Sequence, residues 1–120
     1  MGRERIDFKR GIVLESIFVI LGVVAIIFFF RNNFLLTGTF VVLALVLLKI
    51  SHKKGDFYFY ISGAIIGSLI EILAVKAEVW QYANPTFLGI PVWLPFGWGL
   101  SGLLIVRIGY TLSEINRGRR

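Results

Sequence analysis

Four apolar runs, over 12–30, 34–50, 57–79 and 91–112, make up most of this chain and are parted only by short polar breaks. Each is close to the about 20 residues that a helix needs to cross the hydrocarbon core of a bilayer. No water reaches the backbone there, so every N–H and C=O must be paired inside the segment, and a helix does this. The alternation of polar and apolar residues that a transmembrane barrel needs is missing. A mean hydropathy of +0.80 belongs to a chain that lives in lipid. The expectation is an all-α polytopic membrane protein: one integral membrane domain over 1–120, built as a four-transmembrane-helix bundle.

The charges say which way such a bundle would face. The net charge is +6, but the basic residues stand beside the apolar runs and do not line one soluble face, so nucleic acid is not the expected partner. Arg3, Arg5, Lys9, Arg10, Lys49, Lys53, Lys54, Arg107, Arg117, Arg119 and Arg120 fall on one side of the predicted spans, and only Arg31 and Lys76 on the other. Lys and Arg collect on the cytoplasmic side. Both termini are therefore expected in the cytoplasm, with the protein in the inner, cytoplasmic membrane. The first run ends in Arg31-Asn32-Asn33 with no small-residue cleavage site, so it reads as a retained helix.

Several chemistries drop out early. There is no cysteine, and the one histidine, His52, sits in the charged run Ser51-His52-Lys53-Lys54 and reads as a solvated loop residue. A zinc site needs more ligands than that, so no metal is expected. No nucleotide loop, haem motif or metal-binding helix appears, and no cofactor is expected.

Ionisable side chains inside spans are costly and are candidates for function. Glu15, Glu71 and Glu78 qualify. Gly63, Gly67, Glu71, Ala74 and Glu78 recur at helical spacing and share one stripe of the third run. The glycines let another helix come close, which holds Glu71 at a helix–helix contact. There it serves either as a neutral hydrogen-bond donor between helices or as a catalytic, proton-handling or ligand-contacting group. Glu15 and Arg107 lie at similar depth in the first and fourth runs, and a structural ion pair between them would relieve both charges.

The connection between the third and fourth runs carries all three tryptophans and all three prolines in or beside it. Pro85 and Pro91 interrupt helix, Gly89 permits a turn, and Pro95 is expected to kink the fourth span. Together they predict an aromatic, partly re-entrant cap at the outer end of the third and fourth helices. Glu78, Trp80, Tyr82, Asn84, Trp93 and Trp98 are its candidate ligand-binding residues, with a pocket between those two helices. Gly97 and Ser101 are expected to let the fourth helix pack tightly, as Gly63 and Gly67 do in the third.

The order of an intramembrane acid, then Trp80-Gln81-Tyr82, then Gly89-Ile90-Pro91-Val92-Trp93-Leu94-Pro95 and Trp98 resembles small membrane families of carotenoid metabolism, the carotenoid hydratases and the heterodimeric-type lycopene cyclases. The resemblance covers 71–98. The paired acids that follow Leu-Pro in the cyclases are replaced here by Phe96 and Gly97, so the cyclase proton chemistry does not carry over. What the resemblance implies is a pocket for an apolar, isoprenoid-like ligand.

Three kinds of function fit these residues. One is a protein that binds or modifies an isoprenoid or lipid-like ligand near Glu71. Another is a non-enzymatic accessory or assembly subunit docked by its glycine faces into a larger membrane complex. The third is a small proton-coupled transporter, working as a homo-oligomer around Glu71. Membrane lipid is a partner in all three.

Overall fold

The computed structural model describes residues 2–117, with side chains over 9–116. Arg119 and Arg120, and the side chains of Arg3, Arg5 and Arg117, lie outside the described residues. Among the described residues the chain forms four helices: α1 (Gly2–Phe29), α2 (Asn33–Ile50), α3 (Asp56–Lys76) and α4 (Trp93–Arg117). No strand is present among the described residues, only one bridge between Phe87 and Ile90. Among the described residues three stretches are long and apolar enough to cross a membrane: Lys9–Phe29, Asn33–Ile50 and Asp56–Lys76.

α4 is the inner helix, which accounts for its more mixed composition. It packs against each of the other three, while α3 packs chiefly against α4 alone. Leu100, Leu103 and Leu104 of α4 are buried with Phe18 and Ala25 of α1 and Leu36, Phe40 and Leu47 of α2. α2 presents Leu36, Phe40, Ala44 and Leu47 inward at intervals of four, four and three, one face of a helix. Their outward neighbours, such as Val42 and Leu45, are exposed.

Two helix ends differ from the sequence expectation for local reasons. α3 stops at Lys76, not 79, because Glu78 adopts a left-handed backbone (φ 63) and the Val79 and Glu78 amides bond back to Ala74 and Val75. This pairing is the Schellman arrangement that closes helices, here with glutamate where glycine is usual. Glu78 is thus outside the helix and exposed, not on the Gly63–Glu71 stripe. α4 begins at Trp93, two residues later than expected, and Pro95 stands in its first turn. An N–H at that position has no helical acceptor, so the proline stands in the helix start without breaking a helical hydrogen bond.

α3 and α4 approach closely at their glycines. A Cβ on Gly63 would lie 2.6 Å from the Trp98 carbonyl oxygen, and one on Gly102 would lie 2.9 Å from the Gly63 Cα. A Cβ on Gly67 would enter the Trp98 indole. The connection 77–92 folds over the end of α3. Leu88 and Gly89, both at positive φ, form a two-residue turn closed by reciprocal amide bonds between Phe87 and Ile90. Gly89 rests against Val75 so closely that a side chain there would clash.

Candidate functional site

The reversal after Lys76 brings the chain back over the last turns of α3. Trp80 and Tyr82, alternate residues, then both face Glu71. Trp80 Nε1 donates to Glu71 Oε2 at 2.8 Å, and the Tyr82 hydroxyl donates to the same oxygen at 2.6 Å. From α4, Trp98 Nε1 donates to Oε1 at 3.2 Å. Glu71 is 8% exposed, so the carboxyl is shut in by its three partners. An indole N–H can only donate, which makes both carboxyl oxygens acceptors. Burial and the adjoining Glu71 carboxyl push the Tyr82 phenol well above its ordinary range, so it is a donor across all neutral pH.

The glycines of α3 bring α4 close, as their spacing suggested, and this leaves no room for the pocket expected between the two helices. They let the two helices close, and Trp98 fills what space Gly67 leaves. The cavity lies on the other side of α4. It is a groove of about 400 Å³ between α1, α2 and α4, walled by Phe18, Gly22, Phe40, Leu100 and Leu104, with Tyr82, Trp93 and Trp98 at one end. Gly22, Gly97 and Ser101 make the room, and the exposed Val23 and Ile105 mark its open side. Trp93 stacks on Phe40 with ring centroids 6.1 Å apart, and Tyr82 meets Trp93 edge-on at 6.3 Å.

Glu71 does not line this groove. It holds Tyr82 and Trp98, whose rings do. Chemically the arrangement offers an apolar slot with a rigid aromatic end, and the carboxyl stands one residue behind the wall. Trp80 is half-exposed and bonds Glu71 outside the groove.

The other sequence candidates have different surroundings. Asn84 is a tie: its Nδ2 donates to the Phe30 carbonyl at 3.3 Å, and its own carbonyl accepts from Asn33 Nδ2 at 3.0 Å. It anchors the loop to the α1–α2 turn and does not line the groove. Gly97 packs against Phe40, and the exposed Ser101 lines the groove.

The expected Glu15–Arg107 pair is replaced by another. Arg107, 3% exposed, donates through Nε to Asp56 Oδ1 at 3.2 Å and through Nη2 to Asp56 Oδ2. The guanidinium also donates to the carbonyl and hydroxyl oxygens of Ser51. Asp56 opens α3 and takes the Lys53 amide at 2.7 Å as well, so it faces Arg107 from a closer, better fixed position than α1 provides. Glu15 is buried, but its partner is the Thr111 hydroxyl at 3.3 Å. Asp56 escaped the sequence reading because it stands just ahead of its apolar run, where a carboxylate reads as a solvated loop residue. The glycine before it, which caps α3 at φ 92, was the available signal. His52 is exposed, with Nδ1 3.6 Å from Asp56.

Among the described residues no group of three or more histidine or acidic side chains gathers as a metal site. No family model, no curated protein and no solved structure matches the chain.

Proposed function

We propose that this is a membrane protein whose groove beside α4 binds an isoprenoid or similarly elongated apolar lipid, with Glu71 as the polar anchor of the groove's aromatic end. In this reading all four helices span the cytoplasmic membrane and both termini lie in the cytoplasm, following the bias of Lys and Arg. The observation that carries it is the groove itself. It is walled almost wholly by apolar side chains, and the two rings at its end are locked by hydrogen bonds to a buried carboxyl. An apolar slot with a few fixed polar-backed aromatics is the usual form of a small-molecule site. The resemblance of 71–98 to carotenoid-metabolism families supports the isoprenoid class. Glu71 acts here by positioning Tyr82 and Trp98, not by touching the ligand.

Native mass spectrometry in mild detergent with geranylgeraniol as probe tests this. Wild type should retain one molecule. Ser101→Phe, which fills the groove without removing a hydrogen-bond partner of Glu71, should lower its occupancy at least tenfold. Glu71→Gln should weaken it by releasing the aromatic end. No adduct on wild type, or an undiminished one on Ser101→Phe, refutes the groove as the site.

A further inference from the structure

At the opposite end of α4 lies a second cavity, of about 340 Å³, which the groove reading leaves unused. Its charged and hydroxyl-bearing walls are Lys53, Lys54, Asp56, Arg107, Tyr110, Thr111 and Glu114, and its remaining surface is apolar. We infer that this cavity seats the phosphate of an anionic phospholipid, with Lys53, Lys54 and Arg107 as its cationic contacts and the acyl chain leaving over Tyr110.

Arg107 forms the floor and is prepared for the task. A guanidinium has five N–H groups. Four are spent on Asp56 and Ser51, which leaves one Nη1 hydrogen without a partner among the described residues on a side chain that is 3% exposed. The Asp56 carboxylate offsets the arginine's charge and fixes its plane, and its own oxygens are occupied by Arg107 and the Lys53 amide. The rim adds the two ammonium groups of Lys53 and Lys54, both exposed and without an ion-pair partner among the described residues. Asp56 offsets Arg107, Glu114 faces the cavity from α4, and Lys53 is within electrostatic reach of Glu15 behind Thr111, so the charge that an anion meets is that of the two lysines against the Glu114 wall.

Depth and shape select a lipid over a soluble phosphate. Lys53 and Lys54 lie in the short connection between two helices of membrane-crossing length, the level at which headgroup phosphates stand. The Tyr110 ring, 64% exposed, and Val106 continue the cavity wall along α4, where an acyl chain would run. The inference rests on the membrane reading of α1–α3 and is independent of the groove ligand.

Native mass spectrometry of the detergent-purified protein, titrated with phosphatidylglycerol or phosphatidylcholine, tests it. Wild type should retain one phosphatidylglycerol with at least fivefold higher occupancy than phosphatidylcholine. Lys53→Gln with Lys54→Gln should abolish that preference. Lys9→Gln with Lys49→Gln, an equal charge change outside the cavity, should leave it intact. Equal loss in both double variants would mean a diffuse basic field and overturn the site, as would absence of a preference in wild type. Displacement of the bound lipid by millimolar inorganic phosphate would reassign the cavity to a soluble anion and overturn the lipid assignment. Since geranylgeraniol is scored separately, failure here and failure of the groove are told apart.

Discussion

Tyr82 links the two halves of the candidate site: its hydroxyl is tied to Glu71 and its ring closes the groove. Burial comes first, and the Glu71 carboxyl second, in raising its phenol above the ordinary tyrosine value of about 10. A group whose folded value is raised stabilises the fold fully below its unfolded value. That contribution is lost as pH climbs through the folded one, because the unfolded chain gives up its proton first. The stability gap between wild type and Tyr82→Phe should therefore hold constant from pH 7 to about 9.5 and narrow above about 10. Denaturant melts in detergent over that range measure it, and a gap that stays level at pH 11 would show that the hydroxyl is not held as described. Glu71 was legible in the sequence because an acid inside an apolar run demands partners. Trp80, Tyr82 and Trp98 were legible as aromatic neighbours, but not as its donors. Which side of each indole faces the carboxyl depends on the reversal at Glu78, where a left-handed glutamate leaves no residue-type signal of the kind glycine would.

At the scale of elements, the glycine stripe of α3 and the close helix approach it allows were readable from its spacing, and what occupies the contact was not. Spacing shows that Gly63 and Gly67 share a face. It cannot show whether the space they leave stays open or is filled, and here Trp98 and the α4 backbone fill it. The helix-forming runs themselves were plain, since length and apolarity decide them, while α4 drew its polar content from being surrounded. Alanine substitutions separate these effects. Gly63→Ala and Gly67→Ala force apart a closed contact and should each cost about 1–3 kcal/mol, with Gly67→Ala also shifting the Trp98 emission as the indole leaves Glu71. Gly38→Ala and Gly109→Ala meet nothing within 4 Å and should change stability by less than about 1 kcal/mol in either direction. Thermal melts of the four variants provide the comparison. Equal effects across all four would mean that backbone freedom, and not the α3–α4 contact, governs these positions.

Over the whole molecule, α3 is held to α4 by polar anchors at both ends, Glu71 with Trp98 at one and Asp56 with Arg107 at the other. Buried Leu100, Leu103 and Leu104 occupy the stretch of α4 between them. The anchoring residues of α4, Trp98 and Arg107, stand about 14 Å apart at 1.5 Å per residue, so the two ties fix α3 to α4 along two and a half turns. The lower anchor decides which helix Arg107 serves. Removing one partner of a buried pair strands the other charge and costs about 3–5 kcal/mol, whereas removing both is far less than additive. Asp56→Asn and Arg107→Met should each fall in that range, and the double variant should recover at least about 2 kcal/mol of their sum. Glu15→Gln keeps an acceptor for the Thr111 hydroxyl and should cost no more than about 1 kcal/mol. A double-mutant cycle by thermal or denaturant melting reads these terms directly. Were Glu15 the true counter-ion, its variant would be the costly one and would couple to Arg107→Met, while Asp56→Asn would add independently. Arg107 would then tie α4 to α1 instead of α3, and the second cavity would lose the fixed guanidinium on which its anion site depends.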